Sequence, residues 1–166
     1  MLGLKSSDSA KIIIFSVKIS GNKRTKEYII LREMQFKAGD KIPKGELYKN
    51  FEQARKQIYN TNLFTEVKIE SVLLADSSLQ VNVEVKEKWY IYPTPQFQLA
   101  DRSFNEWIKT YHADLNRVIY GVKFAHYNFT GRRDELKIYL LNGYARNFSA
   151  SYNNPYVNRA LTRGVG

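Results

Sequence analysis

The sequence predicts an α+β fold in two parts: a βααββ unit over residues 10–88, then an incomplete antiparallel β-meander over residues 89–166. Three observations lead there. Up to residue 88, apolar residues follow helical and strand periods in turn. From Trp89 onward they alternate with polar residues, segment after segment. Of the 23 Phe, Tyr and Trp residues, 16 lie between Trp89 and Gly166 and 7 before. Alternation, dense aromatics and strands of roughly ten residues are the marks of membrane-spanning β-strands. About four such strands fit before Gly166, whereas single-chain barrels have about eight or more. Residues 89–166 are therefore expected to be the start of a transmembrane β-barrel, and residues 1–9 a linker or disordered segment.

Each element of the first part has a local cause. Lys11 to Ile19 is rich in β-branched residues and stops at the turn pair Gly21-Asn22, so it reads as a buried strand with Phe15, Val17 and Ile19 on one face. A helix begins near Thr25, a suitable N-cap, with Glu27 placed against the helix dipole, and runs to about Gln35. Phe36-Lys37-Ala38-Gly39-Asp40 is a connector. The second helix runs from about Gly45 to Thr61, where Leu47, Phe51, Ala54 and Ile58 form one apolar stripe opposite Lys49, Glu52, Arg55 and Lys56. Two strands follow, Val67 to Leu74 and Leu79 to Val85, joined by Ala75-Asp76-Ser77-Ser78. In the last, Leu79, Val81, Val83 and Val85 alternate with Gln80, Asn82, Glu84 and Lys86, as in a sheet covered on one face.

In the second part Ile91, Pro93, Pro95, Phe97 and Leu99 share one face, with Tyr92, Thr94, Gln96 and Gln98 on the other. Two prolines bar this strand from the middle of a sheet and suit an edge or seam. Asp101 to Asn116 is polar and mixed, and reads as a loop that sets Trp107 and Tyr111 at a membrane interface. Tyr120, Val122 and Phe124 then alternate with Gly121, Lys123 and Ala125. A turn with Gly131 spans Asn128 to Asp134. Leu136, Ile138 and Leu140 alternate with Lys137, Tyr139 and Leu141; Phe148, Ala150 and Tyr152 alternate with Asn147, Ser149 and Ser151, up to Asn153-Asn154-Pro155. These strands make an up-and-down meander. The competing reading is a soluble all-β domain with the aromatics as its core.

Composition removes several classes of function. The mean hydropathy of -0.46 excludes a helical membrane protein, since no run approaches the ~18 apolar residues a spanning helix needs. It does not exclude a barrel, whose strands turn every second residue to a polar lumen. With no cysteine there is no disulfide, thiolate nucleophile or Cys-based zinc site. His112 and His126 lack metal-ligand spacing, and neither a nucleophile elbow nor a glycine-rich phosphate loop occurs. No catalytic residue, metal or cofactor is expected, and hence no enzyme. The net charge of +10 raises nucleic acid and anionic lipid as partners. It is spread evenly, +5 before residue 89 and +5 after, which argues against a specific nucleic-acid site. Met1 to Ala10 has no apolar core, and Ile12-Ile13-Ile14-Phe15 is too short before Lys18, so no signal peptide is read. An exported protein would then begin upstream of Met1, or the chain is a fragment.

Val17-x-Ile19-x-Gly21-Asn22-x-x-Thr25 resembles the first strand and turn of a POTRA (polypeptide-transport-associated) domain. Tyr59-Asn60-Thr61-Asn62-Leu63-Phe64-x-x-Val67 resembles that domain's passage from second helix to second strand, and Gly39-Asp40 between the helices also fits. The likeness covers about residues 12–86. Gly21 supplies a turn that a Cβ would strain, and Leu63 and Phe64 would plug the open end of the core. Gly121 through Asn128-Phe129-x-Gly131, followed by Ser151-Tyr152-x-x-Pro155, resembles the opening strands of BamA/TamA-type outer-membrane assembly factors of the bacterial surface antigen family. So does a Pro-containing strand directly after a POTRA domain.

That resemblance implies a bacterial outer-membrane protein with its POTRA domain in the periplasm and a role in inserting or translocating other barrel proteins. The implied partners are unfolded outer-membrane client proteins, outer-membrane lipid and other subunits of an assembly complex, with no specific nucleic acid. In POTRA domains the last strand is central and the second lies at an edge. The client-binding edge strand is then Glu66, Val67, Lys68, Ile69, Glu70, Ser71, Val72 and Leu73. The strand with Ile91, Pro93, Pro95, Phe97 and Leu99 would be the seam of the barrel, where clients pair. The family's Arg-containing loop motif falls late in the barrel, past Gly166, and is not carried over. The alternatives are a soluble basic protein that binds RNA or DNA through Lys23, Arg24, Lys26 and exposed Tyr side chains, or a truncated product with no function of its own.

Overall fold

A computed structural model describes residues 10–75 and 77–155. The expected linker over residues 1–9 and Asp76 of the first hairpin turn lie outside the described residues. The chain divides into two compact units, Met1–Lys88 and Trp89–Gly166.

The first unit runs β1 (Lys11–Ser20), α1 (Glu27–Leu31), β2 (Lys41–Pro43), α2 (Leu47–Asn60), β3 (Phe64–Ala75) and β4 (Ser78–Glu87). Its sheet has the order β2-β1-β4-β3. β1 and β4 are parallel, and the two outer pairings are antiparallel. The sheet thus has four strands where three were expected. The extra strand, β2, pairs Ile42 with Ile12 and lies between the segment read as a connector and the start of the second helix. Ile14, Ile30, Ala54, Ile58, Phe64, Val81 and Val83 have no exposed surface and form the core between the helices and one sheet face. Phe51 is half-buried, its ring 5.3 Å from that of Phe36. Leu63 and Phe64 are buried where the chain turns from α2 into β3.

Two expectations fail at the start of this unit. Phe15 does not share a face with Val17 and Ile19. The register of β1 on β4 slips between Ile14 and Ser16, so Phe15 is an extra residue and the alternation reverses there. Ile12 and Ile14 face the core before the bulge; Val17 and Ile19, opposite the buried Val81 and Val83, face it after. Phe15 is left 67% exposed. Nor is Thr25 the N-cap of α1. Lys26 holds that position without a side-chain cap, and the helix has 5 residues. The Thr25 N–H instead donates to Glu87 Oε1 at 2.6 Å, and the Arg24 N–H donates to the same carboxylate at 3.1 Å. Gly21, with φ of +84°, lets the end of β1 lie on β4: a Cβ there would stand 1.9 Å from the Val85 carbonyl oxygen.

The second unit runs β5 (Ile91–Leu99), α3 (Phe104–Lys109), β6 (Val118–Tyr127), β7 (Glu135–Gly143) and β8 (Asn147–Asn153), with its strands in that order and all neighbours antiparallel. The register brings the alternating sets together. Pro95, Val122, Leu140 and Phe148 lie in one row across the sheet, and Pro93, Phe124, Ile138 and Ala150 in the next. Ile91, His126, Leu136 and Tyr152 form a third, and Phe97, Tyr120 and Asn142 a fourth. No residue on this face carries a formal charge. Lys123, Glu135 and Lys137 fall on the opposite face with Thr94, Gln96, Ser149 and Ser151.

The segment read as a loop contains α3. Ser103 Oγ accepts from the Glu106 N–H at 3.1 Å and caps it. Trp107 is buried, donates its Nε1–H to the Asp114 carbonyl at 2.9 Å, and packs edge-on against Phe97. Tyr111 lies under the Arg117 guanidinium, 3.6 Å from it. Both aromatics hold the loop together. At the other end of the sheet, buried Asp134 accepts from the Thr130 N–H at 2.9 Å and from the Tyr152 hydroxyl at 2.9 Å, tying the turn to β8.

Candidate functional site

The candidate site is formed by the outer strands of the two sheets. Among the described residues no group of three His, Cys, Asp or Glu is placed to hold a metal. His126 is buried against Phe129, with Nδ1 3.0 Å from the Tyr127 carbonyl, and His112 lies in the turn that follows α3.

β3 lies at the outer edge of the first sheet, paired with β4 alone among the described residues. Its free side therefore presents a row of backbone donors and acceptors. The candidate residues divide between its faces. Val67, Ile69, Ser71 and Leu73 oppose Val85, Val83, Val81 and Leu79 on the core side. Glu66, Lys68, Glu70 and Val72 oppose Lys86, Glu84, Asn82 and Gln80 on the open side. Cover runs out along the strand: Val67 is buried, whereas Leu73, on the same face, is 61% exposed. Lys68 Nζ meets Glu66 Oε1 at 3.1 Å, and that hydrogen bond holds the lysine above its ordinary pKa. The pair is exposed, so it contributes little stability.

β5 lies at the edge of the second sheet and pairs with β6 from Ile91 opposite His126 to Leu99 opposite Val118 without a slip. Pro93 and Pro95 are two residues apart, so their missing donors fall on the same side of the strand. The unbroken pairing with β6 puts that side away from β6, on the free edge. An incoming strand would find its acceptors unmatched there. β3 offers a complete edge and β5 an impaired one.

Sequence reasoning missed Glu87, whose carboxylate takes both the Arg24 and Thr25 amides and so fixes the β1–α1 turn to the end of β4. No local motif signals a contact across more than sixty residues. It also missed α3, for which Ser103-Phe104-Asn105-Glu106 was a legible signal, since Ser followed three residues later by Glu is a capping-box spacing.

The family model described as "POTRA: Surface antigen variable number repeat" matches residues 12–88. No curated protein matches the sequence. Among solved structures, BamA from Haemophilus ducreyi lacking POTRA domains 1-3 aligns with a TM-score of 0.61 at 15% identity, over 89% of this chain and 25% of that one. CdiB from Escherichia coli aligns with a TM-score of 0.47 at 14% identity, over 89% of this chain and 26% of that one. CdiB from Acinetobacter baumannii gives 0.43 at 10% identity, over 87% and 25%. The chain spans about a quarter of the length of these structures. Residues 12–88 are a POTRA domain, and over the aligned part the fold of the chain is similar to that of BamA.

Proposed function

We propose that this chain is part of an outer-membrane assembly or translocation component. Residues 10–88 are a POTRA domain in the periplasm that binds client polypeptide by strand addition. Residues 89–166 are the first strands of the transmembrane barrel that it serves. The observation that carries the reading is the direct succession of a POTRA domain by an antiparallel sheet with one face free of formal charge across all four strands. In water such a face is a liability; against lipid tails it is what a barrel strand requires.

Client capture is assigned to Glu66–Leu73 of β3. An extended client segment laid along this edge gains main-chain hydrogen bonds whatever its sequence, which suits a component that handles many unfolded barrels. The partners are those clients, outer-membrane lipid and other subunits of an assembly complex. β5 is the seam. Its prolines keep the free edge from bonding fully to whatever strand lies beside it, so that a client strand can exchange there at low cost.

A photo-crosslinking amino acid at Glu70, on the open face of β3, tests the capture step, with Lys49 on the outward side of α2 as the comparison. Offered a urea-denatured outer-membrane barrel polypeptide, the Glu70 probe should label it and the Lys49 probe should not. Equal labelling from both positions would remove the edge-strand assignment.

A further inference from the structure

We propose that the loop between β5 and β6 is a membrane-surface anchor, in which Phe104 and Ile108 of α3, with Leu115 beyond it, enter the boundary between lipid headgroups and acyl chains. The proposal rests on the reading of residues 89–166 as barrel strands and deepens it by naming a lipid contact outside the strands.

Phe104 and Ile108 are four residues apart on α3 and so lie on one side of the helix. They are 56% and 46% exposed, and Leu115 is 61% exposed. Three large apolar side chains at one loop call for a cover, and three observations identify it as lipid.

The first is continuity. Phe97 stands on the uncharged face of β5, its ring 6.1 Å from that of Trp107, and Trp107 is in turn 5.4 Å from Phe104. Ring contacts therefore run from the sheet face at exposed Phe97 through buried Trp107 to exposed Phe104 on α3. If Phe97 meets acyl chains, Phe104 sits at their upper limit.

The second is height. Trp89, itself 72% exposed, precedes β5 as Trp107 follows it. Ten residue steps from Trp89 to Leu99, at about 3.3 Å each and tilted by about 40°, rise roughly 25 Å, the height of the apolar band between the aromatic girdles of such barrels.

The third is rigidity with charge at the rim. The Ser103 cap, the Trp107–Asp114 hydrogen bond and the Arg117–Asp101 ion pair hold α3 in place. Arg102 and Lys109 are exposed at either end of α3, where cations find lipid phosphates. An aromatic and two aliphatic side chains flanked by basic residues suit the interfacial layer.

The chain has no cysteine, so single-cysteine variants can be labelled without background. Ile108→Cys and Leu140→Cys, each carrying an environment-sensitive fluorophore, are made in the full chain and reconstituted into phosphatidylcholine vesicles. The vesicles contain nitroxide-labelled lipid, with the nitroxide either near the carbonyl end or near the methyl end of the acyl chain. Ile108 is exposed and Leu140 lies in the central row of the sheet, so neither exchange opens a core. The Ile108 label should lose more emission to the shallow nitroxide, and the Leu140 label more to the deep one. A quenched Leu140 label beside an unquenched Ile108 label would overturn the anchor, leave the barrel reading intact and point to a protein partner for α3. Deep quenching at Ile108 would equally overturn it. If neither label is quenched, the anchor and the lipid-facing sheet fall together.

Discussion

Gly21→Ala tests the packing of the POTRA domain at the point where backbone meets backbone, and Gly39→Ala is its internal control. Both glycines have positive φ, +84° and +95°, so alanine at either position bears the left-handed penalty of about 1–2 kcal/mol. Both replacements also restrict the unfolded chain equally, and that contribution cancels between them. Space is what separates the two. A Cβ on Gly21 would lie 1.9 Å from the Val85 carbonyl oxygen, whereas one on Gly39 meets nothing within 4 Å. The obstacle at Gly21 is backbone in the central strand of the sheet, which no rotamer change can move. Forcing it aside adds an overpacking cost of about 1–3 kcal/mol. Gly21→Ala should therefore destabilise by about 2–5 kcal/mol and Gly39→Ala by about 1–2 kcal/mol. Urea denaturation of residues 10–88 followed by far-UV circular dichroism reads the difference. With a slope near 1 kcal/mol per molar urea, the two midpoints should part by about 1–3 M. Coincident midpoints would refute the claim that β1 and β4 meet this closely at Gly21.

Other outcomes follow from the same structure. Ile58→Ala, in the sealed core beneath α2, should cost about 2–5 kcal/mol, and Lys49→Ala on the outer side no more than about 0.5 kcal/mol; similar losses in denaturation would overturn the helix phase. Burial pushes the Asp134 carboxyl up, but the Thr130 amide and the Tyr152 hydroxyl outweigh it and hold the group below the ordinary carboxylate range. Its stabilisation is therefore present above the unfolded value of about 4 and lost as pH falls through the lower folded value, a loss that Asp134→Asn should abolish in detergent melts across acid pH. Because the charge is spread along the chain, binding to DNA or RNA should be weak, blind to sequence and removed by physiological salt; a complex that survives that salt in a filter or mobility-shift assay would favour a nucleic-acid role.

What was legible in the sequence was periodicity, and what was not was its interruption. Leu79, Val81, Val83 and Val85 alternate without a break, and the structure buries all four. The second-unit strands were legible for the same reason, down to which residues share the uncharged face. In β1 the pattern Ile12-Ile13-Ile14-Phe15 is apolar on both faces, so nothing local marks Phe15 as the bulged residue; the partner strand decides it. β2 was hidden because a three-residue strand ending in proline has too few positions to show a period. α1 was read as too long: it was expected to run from a Thr25 cap to about Gln35, whereas it is capped at Lys26 and ends at Leu31. Of the candidate sites, the edge position of β3 was inferred from likeness to a known architecture, not from its own residues. Only the two prolines of β5 declare an edge by chemistry.

The central claim is that the uncharged face of the second sheet is built for lipid, and the fate of that sheet in water tests it most directly. Residues 89–166, purified in detergent and then freed of it, expose Phe97, Leu140 and Phe148 and, among the described residues, leave the outer edges of β5 and β8 unpaired. Light scattering or sedimentation should then show large aggregates, with dispersion restored by detergent or bilayer. A soluble monomer with a sharp thermal transition in plain buffer would contradict the account, and residues 89–166 would be a water-soluble all-β domain attached to a POTRA domain.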